Sequence, residues 1–222
     1  MSIGWLIGLV SASILFYTAY FFLSSFNYKN RFKQAYDLRN HFPYEFNYES
    51  KFVDNILGNI ALIFSIVFSI SYFACSAVYK SNNGLLMFSL VSGVIFSILV
   101  LVMNFIPLKY MRTHMIFSVL LFVASFFLPS SIALTSFKEY QDSKAVVALV
   151  MFIVIAVIAI CNFVLVMNPK LTFNIKMQVA KDDKGNEHYV RPKFIMMAMS
   201  EWIVSFGLFL SQILLLIILI II

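Results

Sequence analysis

Ala145 to Pro169 reads AVVALVMFIVIAVIAICNFVLVMNP, twenty-five residues without one Asp, Glu, Lys or Arg. At about 1.5 Å of rise per residue, a helix of that length crosses a bilayer core of about 30 Å. Five more charge-free stretches accompany it: 1–28, 55–79, 81–108, 113–137 and 202–222. All sixteen basic and ten acidic residues fall between them. Only 12 % of the chain is charged, against about 25 % in a soluble domain. The reading is an all-α membrane protein: one membrane domain over 1–222, with spans at about 3–26, 55–79, 84–108, 113–137, 145–167 and 194–222.

The charges between the spans set an orientation. Loops one, three and five hold thirteen Lys and Arg, including Lys29, Arg31, Lys33, Lys109, Arg112, Arg191 and Lys193; loops two and four hold only Lys80, Lys138 and Lys144. The positive-inside rule places segments 27–54 and 168–193 in the cytoplasm and both termini outside, in the plasma (cell) membrane. The first run has no positive n-region and outlasts a signal-peptide core, so it reads as a span. The net charge of +6 reflects this loop asymmetry, so no nucleic-acid partner follows from it. Cys75 and Cys161 both sit inside apolar runs, where they are small hydrophobes, with no metal or redox pairing.

Lipid gives helices no hydrophobic reason to associate, so small residues four apart mark expected contacts. Gly4, Gly8 and Ala12 form one such stripe; Ser89, Gly93 and Ser97 form another. Each serves packing within the chain or contact with a protein partner or second copy. Pro129 is expected to kink or end the fourth helix near its outer end.

The loops carry their own patterns. Tyr28, Phe32, Ala35 and Tyr36 have helical spacing among basic residues, which predicts a short interfacial amphipathic helix over Tyr28 to Arg39. Then Phe42, Tyr44, Phe46 and Tyr48 alternate with polar residues or Pro43, a strand-like period limited by the proline to an edge or extended segment. With Trp202, these aromatics read as interfacial anchors. Residues 172–191 predict a β-hairpin turning at Lys181 to Asn186, with Phe173, Ile175, Met177 and Val179 on its apolar side.

No nucleophile elbow, HExxH, Walker A loop or GxGxxG occurs, and no pair of carboxylates lies inside a span. No catalytic residue, cofactor or metal ligand set is assigned, and a lipid-modifying enzyme ranks third among the functions. The polar residues Asn59, Asn104, His114, Asn162 and Glu201 all lie toward the cytoplasmic ends of their spans. They are candidates to line a shallow polar vestibule. Twenty-one residues follow Glu201, about 31 Å of helix, which puts that carboxylate at the boundary, paired with Lys193, Lys109 or Arg112 or hydrated, as an interfacial anchor or vestibule-rim residue rather than a proton carrier. The first functional reading is therefore a non-enzymatic accessory or scaffold subunit that binds protein or lipid through its cytoplasmic segments. The second is a small permease using the vestibule.

Overall fold

The computed structural model describes residues 2–47, 52–79, 84–167, 178–181 and 187–221. Among these, six helices are long and apolar enough to cross a bilayer, and the chain is a multi-pass membrane protein. They are α1 (Ile3–Phe32), α2 (Ile56–Tyr79), α3 (Gly84–Met103), α4 (Met111–Ser143), α5 (Val146–Val166) and α6 (Met196–Ile221). Consecutive helices from α1 to α5 touch in sequence, and α6 touches all five. The bundle is an arc of five helices closed around the last. One end gathers residues 27–47, 104–114 and 191–202; it carries Lys29, Arg31, Lys33, Arg39, Lys109, Arg112, Arg191 and Lys193, and is called the basic end below.

The inward faces are polar in an orderly way. On α1 the buried positions are Leu6, Val10, Ser13, Tyr17, Tyr20, Ser24 and Tyr28, three or four apart throughout. Lipid solvates Leu as well as protein does, so hydroxyls rather than alkyl groups choose the inside. Gly4 and Gly8 stand exposed on the opposite side of α1, so this stripe does not serve packing within the chain. Ser89, Gly93 and Ser97 are buried in the bundle, where Ser89 Oγ meets Ser131 Oγ of α4 at 2.9 Å. A Cβ on Gly93 would come within 2.6 Å of the Phe73 ring, so α2 and α3 approach here only because the residue is glycine.

Two helices overrun the bilayer and end on left-handed lysines, Lys33 (φ 58°) and Lys144 (φ 57°), whose N–H groups bond back to Lys29 and Tyr140 carbonyls at 2.9 Å. The expected amphipathic helix over Tyr28 to Arg39 is therefore not a separate element. Its first turn continues α1, and the chain turns at Asp37 to His41, with His41 N–H on the Asp37 carbonyl at 2.9 Å. The aromatics it was to lay on lipid meet one another instead: Tyr28 on Tyr36 at 5.1 Å and on His41 at 5.4 Å. The strand-like reading of Phe42 to Tyr48 is also corrected. Pro43–Phe46 is a 3-10 turn with proline at its first position, where the missing N–H costs nothing. All four of its residues are buried, so the period of two marks no exposed face. Tyr48 lies outside the described residues.

Strands β1 (Gln178–Lys181) and β2 (Glu187–Val190) pair antiparallel, Gln178 opposite Val190 and Lys181 opposite Glu187. This ladder is shorter than the hairpin expected over 172–191. Of that hairpin's apolar side, Phe173, Ile175 and Met177 lie outside the described residues.

Candidate functional site

Near the basic end, α4 and α6 bring their first turns together. His114 and Ser118, one turn apart on α4, both reach Glu201 of α6. Ser118 donates its hydroxyl to Glu201 Oε1 at 2.8 Å, and His114 Nε2 lies 3.1 Å from the same oxygen. The other ring nitrogen, Nδ1, faces the Ile106 carbonyl at 2.8 Å. A carbonyl only accepts, so Nδ1 carries a hydrogen. Nε2 and Oε1 then share one further proton between them: the pair is imidazolium with carboxylate, or neutral imidazole with carboxylic acid. Both states have zero net charge, which is what a site with side chains 0 % exposed can hold. Glu201 Oε2 is buried and has no hydrogen-bond partner among the described residues. The expected pairing of Glu201 with Lys193, Lys109 or Arg112 at a wet boundary gives way to this dry pairing inside the bundle.

A cap built from the segment after α1 covers the pair. Phe42 and Tyr44 stand edge-on to the His114 ring, with centroids at 5.8 and 5.5 Å. Three ties fasten the cap to α6 and to the segment just before it. Trp202 Nε1–H donates to the His41 carbonyl at 3.0 Å, and Ile195 N–H to the Arg39 carbonyl at 2.7 Å. The Arg191 guanidinium clasps Glu45 with two bonds of 2.9 and 2.7 Å. Inside the cap, burial holds the Tyr36 hydroxyl well above its ordinary pKa, and it donates to the Phe42 carbonyl at 2.7 Å. At its surface the Arg39 side chain, hydrogen-bonded to Asp37, pushes that carboxyl down to about 2.

Phe42, Tyr44, Phe46 and Trp202 thus face protein rather than lipid; Tyr36 is half-buried and stacks on Phe46 at 4.1 Å, and Phe32 is exposed at the end of α1. Of the five polar candidates, the structure brings His114 and Glu201 together. Asn104 accepts from the Tyr20 hydroxyl and donates to the Val100 carbonyl at 2.7 Å. Asn59 is buried in α2.

Asn162 serves a different purpose. Pro129 sits inside α4, which does not end there but continues to Ser143, so the Ser125 carbonyl loses the N–H that would reach it from four residues on. Asn162 of α5 donates to that carbonyl at 2.7 Å. This is the repair that a proline within a span requires. Asn162→Leu is expected to cost about 1–3 kcal/mol, the penalty for a buried carbonyl left bare. Pro129→Ala in the same chain should return most of it, because the helix then satisfies Ser125 itself. Thermal unfolding of the four proteins in one detergent measures the cycle; equal losses with and without Pro129 would refute it.

Sequence reasoning named Glu201 and His114 in one candidate set but did not pair them, and it missed Ser118. His114 and Ser118 at one-turn spacing were a visible signal, and the residues of the cap were not. Among the described residues no cluster of three His, Cys, Asp or Glu gathers to hold a metal ion, and Cys75 and Cys161 are free thiols. No family model matches the chain, and no curated protein or solved structure matches it.

Proposed function

We propose that this protein is a small proton-coupled permease of the cell membrane, with its termini outside and its cap on the cytoplasmic side. The observation that carries the reading is Glu201: a wholly buried carboxyl with one oxygen bare and the other shared with His114 and Ser118. Ionisable groups inside a membrane bundle are costly and mark ion and proton pathways. The His114–Glu201 pair holds one transferable proton without changing its net charge, and the cap separates it from water.

The test is proton flux into proteoliposomes under an imposed potential, read with an internal pH dye. Wild type is expected to conduct or exchange protons, and Glu201→Gln to lower the flux at least about tenfold, as loss of a positioned proton carrier does. Wild-type flux in a folded Glu201→Gln protein would refute the reading. Orientation is checked in a chain lacking Cys75 and Cys161. A cysteine near Gln141 should react with an impermeant thiol reagent from outside, and one near residue 185 should not.

A second reading, the accessory subunit, has its own support in Gly4 and Gly8, which stand exposed on α1 beside Trp5 at 69 % exposure. A stoichiometric partner retained in mild detergent, and lost on Gly8→Leu, would favour it.

A further inference from the structure

We infer that the inward face of α6 is a hydrated proton track, running from Glu201 through Ser205 and Tyr17 to a polar station at Gln212. The inference rests on the permease reading of Glu201 and extends it into the middle of the bilayer. Glu201, Ser205 and Gln212 are four and seven residues apart, hence on one helix face, and eleven residues of helix span about 16 Å. All three are buried, Gln212 at 0 % exposure. Ser205 donates to the Glu201 carbonyl at 2.7 Å. Beside Ser205 lies the Tyr17 hydroxyl of α1, buried and without a hydrogen bond of ordinary geometry. Its ring is held by Phe209 at 4.3 Å and Phe206 at 5.8 Å.

One turn along α1, Ser13 Oγ comes within 2.6 Å of Gln212 Oε1 and 2.9 Å of the Val10 carbonyl. A hydroxyl has one hydrogen for those two acceptors, so Ser13 is a rotor. Ser65 of α2 donates to the Ser13 carbonyl at 2.7 Å, and Tyr72 to the Gln212 carbonyl at 3.0 Å. Gln212 Nε2 has no hydrogen-bond partner among the described residues.

Tyr17 Oη of α1 and Gln212 Nε2 of α6 both lie buried where these helices meet, each without a hydrogen bond of ordinary geometry among the described residues, and Glu201 Oε2 of α6 is a third such group. A bare polar group in hydrocarbon costs several kcal/mol, and water is the small partner that offers both donor and acceptor. The titratable groups facing the track are Glu201, His114 of α4, Tyr17 and Tyr20 of α1, and Tyr72 of α2. Tyr20 is committed to Asn104. Each hop along the track breaks one O–H bond and forms another on the next oxygen. No electron moves, and the sum is one proton displaced. Beyond Gln212 the buried positions of α6 are Leu214, Leu215, Ile218 and Leu219, so the track ends at the station and the far half is closed in this conformation.

The same proteoliposome flux tests it with Tyr17→Phe, Ser205→Ala, Ser205→Thr and Gln212→Met beside Glu201→Gln, each checked for wild-type thermal unfolding. Tyr17→Phe keeps the ring on Phe209 and removes only the hydroxyl. It and Gln212→Met are expected to lower flux about tenfold, Ser205→Ala to lower it and Ser205→Thr to restore it. Ser205→Ala removes little packing, so it keeps the test open should a larger change fail to fold. If Glu201→Gln abolishes flux while these variants conduct as wild type, the track is wrong and the permease stands. If wild type carries no protons, both fall.

Discussion

His114→Leu is expected to lower stability by about 3–5 kcal/mol, the loss seen when one partner of a buried ionic pair is removed. In a chain of this length each kcal/mol moves the thermal midpoint by about 2–4 °C, so the shift is plain in a detergent melt. The substitution takes away the shared proton's second owner and leaves Glu201 with Ser118 alone, in a place where both Glu201 oxygens are buried. The N-termini of α4 and α6 help a carboxylate there, but their dipoles act over about one turn and are worth less than the lost partner. Replacing both residues, His114→Leu with Glu201→Leu, should recover most of the loss, because a well-packed apolar pair costs nothing to desolvate. The double variant would be stable and inactive in the flux assay. A pair kept at a cost in stability is a pair kept for what it does. A His114→Leu protein as stable as wild type would show that the shared proton carries no weight. A double variant worse than either single one would show that packing, not charge, holds the site.

The six spans were legible because a bilayer imposes a length and forbids charge, and both can be read one residue at a time. The cap was not. Phe42, Tyr44 and Phe46 alternate with polar residues as a strand would, but Glu45, one of the polar residues, is buried by Arg191, 146 positions away. No local pattern announces such a partner. Asn162 was noticed as a polar residue near a span end, and Pro129 as a helix breaker; only the packing of α5 on α4 shows that one repairs the other. The small-residue stripe of α1 lies off the inward face for a physical reason. Ser13, Tyr17, Tyr20 and Ser24 compete with Gly4 and Gly8 for the inward face, and hydroxyls that would be bare in lipid win over glycines that are merely small. Glu201 shows the opposite limit. The length of helix beyond it gave an expected depth, but depth does not say whether water or protein surrounds a side chain, and here it is protein.

Arg191→Glu should open the cap. It sets a second carboxylate against Glu45, which is 7 % exposed and loses both bonds of the guanidinium fork. The cost falls below the about 3–5 kcal/mol of a fully buried pair, because the Arg191 side chain is 30 % exposed and partly screened. Its consequence is local and has its own reporter. Trp202 is 1 % exposed and bonded to the His41 carbonyl of the cap, while Trp5, at the other end of the molecule, is replaced by phenylalanine to leave one fluorophore. In Arg191→Glu the emission of Trp202 is expected to move to the red and become open to acrylamide quenching. The exchanged pair, Glu45→Arg with Arg191→Glu, should return both toward wild type, since the fork can form in either direction across the same gap. High salt should open the wild-type cap slightly and the variant no further, because only the wild type has an attraction to screen. If Trp202 stays blue and unquenched in Arg191→Glu, the aromatic contacts of Phe42 and Tyr44 with His114 hold the cap by themselves, and the ion pair is a passenger. If the exchanged pair does not recover while the single variant opens, the fork depends on the arginine standing over the Phe42 ring, 5.9 Å from its centre, a contact that a glutamate at 191 does not replace.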